Sequence, residues 1–178
     1  MENEEQVKIL IVDDEPSVVK LISSIISRYG YAYETAGNGL EAIEKARTIK
    51  PDAILLDVLM PEMDGIEATS TLKKDSATMH IPIITFSQIG DNETKIRCLN
   101  AGANDFLSKP IDPAELIVRL KNIILLKRAE DIKVKNEVLM ETINAIAAAK
   151  REWELTMDCI TDIVMLINIK DTILRCNK

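Results

Sequence analysis

The chain is poor in rings: one histidine, His80, one tryptophan, Trp153, and only three Tyr and two Phe among 178 residues. So few aromatics leave no platform for stacking bases, and 22 Lys and Arg against 29 Asp and Glu give a formal charge of −7 that repels phosphate backbones. Direct nucleic-acid binding is therefore not expected. The three cysteines, Cys98, Cys159 and Cys176, lie far apart with no CxxC spacing, which predicts reduced thiols and excludes a disulfide framework or a zinc knuckle. No apolar run approaches the ~20 residues of a membrane span, and the acidic start MENEEQ lacks the basic opening of a signal peptide. The expectation is a cytoplasmic chain that is neither inserted nor exported. Turn formers are missing from the rear: all six Gly lie at or before Gly102 and all six Pro at or before Pro113. Charge divides similarly, with net −8 over residues 1–120 and net +1 over 121–178.

The front has a repeating pattern. Residues 7–12 (VKILIV) are β-branched and almost continuously apolar, as a parallel strand buried on both faces requires, and they stop abruptly at Asp13, Asp14 and Glu15. Pro16 suits a first helical turn; Val18, Val19, Ile22, Ile25, Ile26 and Tyr29 then recur at helical spacing up to Gly30, a C-terminal cap. Further strands are predicted at 31–35, 53–56, 81–86 and 105–107, and further helices at 40–48, 66–73, 93–100 and from the Asp112–Pro113 cap onward. Five strands alternating with five helices predict a doubly wound α/β domain with a parallel sheet, whose ligands sit beyond the carboxyl ends of the strands. At those ends stand Asp13 and Asp14, Asp57, Ser87 and Lys109.

Taken singly, these are ordinary turn, cap or solvated residues. Their coincidence in one crevice is what matters. Like charges ~5 Å apart repel by roughly 3 kcal/mol per pair at an effective dielectric near 20, so three converging carboxylates call for a cation. All-oxygen ligation favours a hard ion such as Mg²⁺. Lys109 adds a fixed positive charge and Ser87 a hydroxyl, and the set suits binding of a phosphoryl group.

With these residues in place the sequence resembles the receiver domains of two-component response regulators, over about residues 6–126. The segments that carry the resemblance are LIVDDEP, LLDVLMPEMDG around Asp57, IPIITFS ending at Ser87, and AGANDFLSKP ending at Lys109 and Pro110. The resemblance implies the flavodoxin-like strand order 2-1-3-4-5 and Asp57 as phosphoacceptor. It also implies Mg²⁺ held by Asp13, Asp14, Asp57 and the backbone carbonyl of Leu59, and Lys109 paired with the phosphoryl oxygens. Ser87 and Phe106 take switch positions, Phe106 rotating inward on phosphorylation, and the Lys109–Pro110 bond is cis. The implied partner is a histidine kinase or histidine phosphotransfer protein, and the implied chemistry a self-catalysed transfer and later hydrolysis, without a kinase domain in this chain. Two positions depart from the family pattern: Gln88 follows the switch serine, and Leu59 supplies an apolar side chain. Both border the path of water to an acyl phosphate.

Beyond Asp112 nothing stops the helix. Leu125, Ile132, Leu139, Ile146, Trp153 and Ile160 recur every seven residues beside Asn122, Ala129, Asn136, Ile143, Lys150 and Met157. That heptad, with polar residues on its second seam, predicts a parallel two-stranded coiled coil and hence a homodimer. Residues 163–169 and 172–176 then predict a hairpin, and the segment from Trp153 resembles the opening of a PAS sensor domain cut short. The expected organisation is a receiver at 1–126, a coiled-coil signalling helix at 127–160 and a partial PAS-like hairpin at 161–178.

Three other readings compete. Gly37, Gly39 and Ala42 form a GxGxxA pattern with Asp57 twenty residues on, as in dinucleotide-binding domains, but the strand before it is short and polar and the neighbouring acidic cluster repels a pyrophosphate. A histidine kinase is disfavoured because His80 precedes IPII with no helical context. A pseudo-receiver used only for binding is disfavoured because every acceptor-site residue is present.

Overall fold

The computed structural model describes residues 6–88, 92–158, 165–167 and 173–176. Five strands, β1 (Lys8–Val12), β2 (Ala32–Ala36), β3 (Ala53–Asp57), β4 (Ile83–Ser87) and β5 (Asp105–Ser108), form one parallel sheet in the order β2-β1-β3-β4-β5. This is the flavodoxin-like order. The intervening helices are α1 (Pro16–Arg28), α2 (Gly39–Ile49), α3 (Gly65–Lys74), α4 (Asn92–Asn100) and α5 (Pro113–Asp158).

The apolar runs of the central strands serve two cores because successive side chains point to opposite faces of a strand. Ile9, Ile11, Ala53, Leu55, Ile84 and Phe86 face α1 and the first turns of α5, where Leu116, Leu120 and Ile124 close the layer. Leu10, Val12, Ile54, Leu56 and Ile83 face the other way, onto α2 and α3. Each fully buried Leu, Ile or Phe stabilises the fold by roughly 1.5–3 kcal/mol, so this two-sided burial is what holds the sheet rigid beneath its carboxyl edge.

Local signals set the helix ends. After α1, the Gly30 N–H donates to the Ser27 carbonyl and the Tyr31 N–H to the Ile26 carbonyl; Gly30 has φ +81°, a left-handed turn that suits glycine. Asp112 caps α5 as expected, its Oδ1 accepting from the Glu115 N–H at 2.8 Å. Strand β4 starts at Ile83, two residues later than the apolar pattern suggests. Ile81 is apolar because it is buried in the core, and Pro82, which has no N–H, precedes the ladder.

The chain divides into two compact units, Met1–Ala129 and Glu130–Lys178. In the second, α5 exposes Ile132, Leu139, Ile143, Ile146 and Trp153. Strands β6 (Met165–Ile167) and β7 (Ile173–Cys176) pair antiparallel, as the predicted hairpin requires. Ile160 and Cys159 lie outside the described residues. No described helix is long and apolar enough to cross a membrane.

Candidate functional site

The predicted residues meet at the carboxyl edge of the sheet. β1 delivers Asp13 and Asp14, β3 ends on Asp57, β4 ends on Ser87, and Lys109 follows β5. Carboxylate oxygens of Asp13, Asp14 and Asp57 all lie within 4.8 Å of one another, the one such acidic group among the described residues. Asp13 and Asp57 are buried and Asp14 is exposed, so the cluster opens to solvent on the Asp14 side. The Lys109 ammonium bridges the two buried carboxylates, 3.0 Å from Asp13 Oδ2 and 3.2 Å from Asp57 Oδ2. It also stands 5.2 Å from the centre of the Phe86 ring, whose face favours the cation.

The two buried acids are further oriented by the backbone. Asp13 Oδ1 accepts from the Glu15 N–H at 2.8 Å, and Asp57 Oδ1 accepts from the Val58 N–H at 3.0 Å. The Asp57 carboxylate plane is thus fixed from both ends. The Lys109–Pro110 peptide is cis, as the resemblance implies. Ser87 is fully buried, and its carbonyl accepts from the Lys109 N–H at 2.9 Å, which ties the ends of β4 and β5 together.

Electrostatics single out Asp57. Burial pushes its carboxyl up, the Lys109 ammonium pulls it back and Asp13 pushes it up again, for a net rise from 3.8 to about 6. For Lys109, burial opposes the charge, but the Asp13 hydrogen bond and the Asp57 and Asp13 charges outweigh it and raise its pKa. Because the folded protein holds a proton on Asp57 more tightly than the unfolded chain, the contribution of Asp57 to stability is lost as pH rises from about 4 to 6. Asp57→Asn is accordingly expected to stabilise the metal-free protein by on the order of 2 kcal/mol at pH 7 and to have little effect near pH 4, read by urea denaturation at the two pH values.

The donor set fits a hard divalent cation: three carboxylates, with no Cys or His grouped with them among the described residues, and an open face at Asp14. Leu59, the other predicted ligand through its carbonyl, follows in the β3–α3 loop with its side chain exposed, and Gln88 is exposed after β4. A cavity of about 480 Å³ lined by Val18, Leu21, Gln88, Lys109, Pro110 and Ile111 opens beside Lys109.

Phe106, the other predicted switch residue, is 6% exposed and packs with Val58, Cys98 and Ala103. Gly65 carries a role the strand-end reading missed. A Cβ there would lie 2.0 Å from the Asp57 carbonyl oxygen and 2.9 Å from the Val58 Cα, so only glycine lets α3 begin directly against the acceptor strand. The aspartate–glycine pair at 64–65 was the available signal.

The competing motifs are resolved by the same geometry. In the GxGxxA segment the Gly37 N–H donates to the Glu41 carboxylate at 2.7 Å, placing an anion where a pyrophosphate would need to bind. His80 sits exposed in a turn before β4.

Comparison with known proteins agrees with this architecture. Residues 9–121 match the family profile described as response regulator receiver domain. The chain is 42% identical over 123 residues to the alkaline phosphatase synthesis transcriptional regulatory protein PhoP of Bacillus subtilis, covering 69% of this chain and 50% of that protein. Among solved structures it is similar to a putative response regulator from Chloroflexus aurantiacus, with 36% identity and a TM-score of 0.66 over 68% of this chain and 99% of that one. It is also similar to the receiver domain of a sensor histidine kinase from Pseudomonas aeruginosa, whose structure has a magnesium ion coordinated in the active site cleft. There the identity is 32% and the TM-score 0.63 over 67% of this chain and 98% of that one. The chain spans about half the length, or less, of the first curated relatives it matches.

Proposed function

Because the chain belongs to the response regulator receiver domain family, we propose that it accepts a phosphoryl group on Asp57 from a phosphohistidine of a histidine kinase or histidine phosphotransfer protein. The observation that carries this reading is the buried Asp57 carboxylate held between the Val58 N–H and the Lys109 ammonium, with Asp13 and Asp14 beside it. A carboxylate oxygen of Asp57 attacks phosphorus in line; the new P–O bond forms as the P–N bond breaks, and the electron pair leaves with the imidazole nitrogen. Lys109, already within hydrogen-bond distance of Asp57, meets the negative charge of the incoming phosphoryl oxygens, and the Ser87 hydroxyl is the donor on the β4 side. Asp13, Asp14, Asp57 and the Leu59 carbonyl would hold Mg²⁺, which when bound offsets charge on the transferring group. The cavity beside Lys109 offers Val18, Leu21 and Ile111 to an apolar segment of the phosphodonor. Acetyl phosphate with Mg²⁺ should label the chain on one residue. Failure to label under saturating donor and metal would overturn the reading and leave a phosphate-independent binding module.

For the rear of the chain we infer a helical connector at 127–160 that pairs with a second copy, followed at 161–178 by the start of a PAS-type sensor. Support comes from the exposed heptad residues Ile132, Leu139, Ile146 and Trp153 and from the antiparallel β6–β7 pair. Asn122, Asn136 and Lys150 on the companion seam reduce the apolar area gained, and association costs at least ~4 kcal/mol of lost freedom. A dimer dissociating in the micromolar range is expected by sedimentation velocity across a concentration series. A mass that stays at one chain up to millimolar concentration contradicts it.

A further inference from the structure

The β3–α3 loop, residues 58–64, links the acceptor strand to α3 and contains Leu59. Its carboxyl end is fixed by Gly65, whose N–H donates to the Val58 carbonyl at 2.9 Å. Near its apex Glu62 adopts φ +66°, a left-handed backbone that a residue with a Cβ takes only at a cost of about 1 kcal/mol unless its surroundings hold it there.

What holds it comes from the GxGxxA segment that the site's chemistry left without a role. Asn38 caps α2, its Oδ1 accepting from the Glu41 N–H at 2.8 Å. That oxygen is the only acceptor on the side chain, so the amide orientation is settled and Nδ2 is left to donate, 3.2 Å from Glu62 Oε2. The cap is itself braced, because Glu41 accepts from the Gly37 N–H and pairs with Lys45 at 2.8 Å. One residue on, a Cβ at Gly39 would come within 2.8 Å of Met63 Cγ, so the absence of a side chain lets the loop seat on the start of α2.

We propose that this β2–α2 turn is a clasp, with Asn38 and Glu62 as positioning residues that hold the β3–α3 loop in the conformation that sets the Leu59 carbonyl at the acceptor site. The inference rests on the receiver reading above. It assigns to Asn38 two separable tasks: capping through Oδ1 and clasping through Nδ2.

Asn38→Asp separates them, since aspartate caps a helix as well as asparagine does but has no donor and repels Glu62. In the full chain this variant should stay folded and melt within about 4 °C of wild type. It should speed hydrogen exchange of the amides in residues 58–64 of the metal-free protein and weaken Mg²⁺ binding by roughly fivefold in calorimetric titration, the effect of losing one solvent-exposed hydrogen bond. Simple charge addition would strengthen Mg²⁺ binding, the opposite sign. Adding Glu62→Gln to Asn38→Asp restores the wild-type net charge and supplies an amide donor to the new carboxylate. Both exchange and affinity should return toward wild type in the double variant. Wild-type exchange and affinity in Asn38→Asp, or a double variant no better than Asn38→Asp, overturn the clasp alone. A wild-type chain that binds no Mg²⁺ overturns the receiver reading and with it the clasp's role.

Discussion

Asp57→Asn is expected to take up no phosphoryl group from acetyl phosphate under conditions that label the wild-type chain fully. The amide that replaces the carboxylate is nearly the same size and leaves the β3 ladder and the Val58 N–H contact intact, so loss of labelling reports loss of the nucleophile. Asn is a far weaker nucleophile than a carboxylate, and no other described acid is both buried and held by Lys109 apart from Asp13. Asp13 follows β1, the neighbouring strand, and its Oδ1 already accepts from the Glu15 N–H. The same variant is predicted above to be more stable than wild type without metal, and the two results together separate a functional residue from a structural one. A destabilised protein that fails to label would say only that the fold had gone. A stabilised protein that fails to label says that the wild-type carboxylate is kept at a cost to stability because the chemistry requires it.

The second large effect belongs to Lys109. Its ammonium lies 3.0 Å from Asp13 and 3.2 Å from Asp57, and its side chain is mostly buried, so Lys109→Met leaves two buried acids facing each other without compensation. Breaking a buried ion pair by removing one partner costs about 3–5 kcal/mol. At neutral pH without divalent metal the variant should melt roughly 10 °C lower than wild type. The sign of its pH dependence follows from the same groups. Without Lys109 the pKa of Asp57 rises further, because the opposing pull has gone, so the deficit shrinks as pH falls and Asp57 protonates. Saturating Mg²⁺ should recover much of the loss, since a cation at the cluster replaces the missing charge. A variant that melts like wild type at neutral pH, with and without metal, would contradict the electrostatic account of the site.

Why is so much of this site legible in the sequence? The central strands are continuous β-branched and aliphatic runs because they are buried on both faces, and each run breaks at a polar residue where the strand leaves the core. Asp13, Asp57, Ser87 and Lys109 therefore stand out as strand ends from the residue pattern alone. Less visible is the edge strand β2, whose AYETA sequence buries only Ala36 and lies one residue later than its pattern suggests. The burial of Phe106 cannot be read off, because a four-residue strand gives too few alternations to say which face an aromatic takes; the pocket depends on Ala103 and Cys98 from the turn and helix before it. The role of Asn38 is hidden for a different reason. Its neighbours Gly37, Gly39 and Ala42 fit a phosphate-binding pattern as well as a capping turn, and the contact of Asn38 with Glu62, 24 residues on, appears only in the fold. Local spacing records which residues cap and which bury, but a contact between two loops leaves no period in the sequence.

Phosphoryl transfer to Asp57 is tested most directly by the intact mass of the full chain after incubation with acetyl phosphate, with and without Mg²⁺, followed by peptide mapping. The expected result is one phosphoryl adduct per chain, formed only with the metal and located on the peptide that carries Asp57. An adduct on another residue with Asp57 unmodified, or no adduct at saturating donor and Mg²⁺, would contradict it.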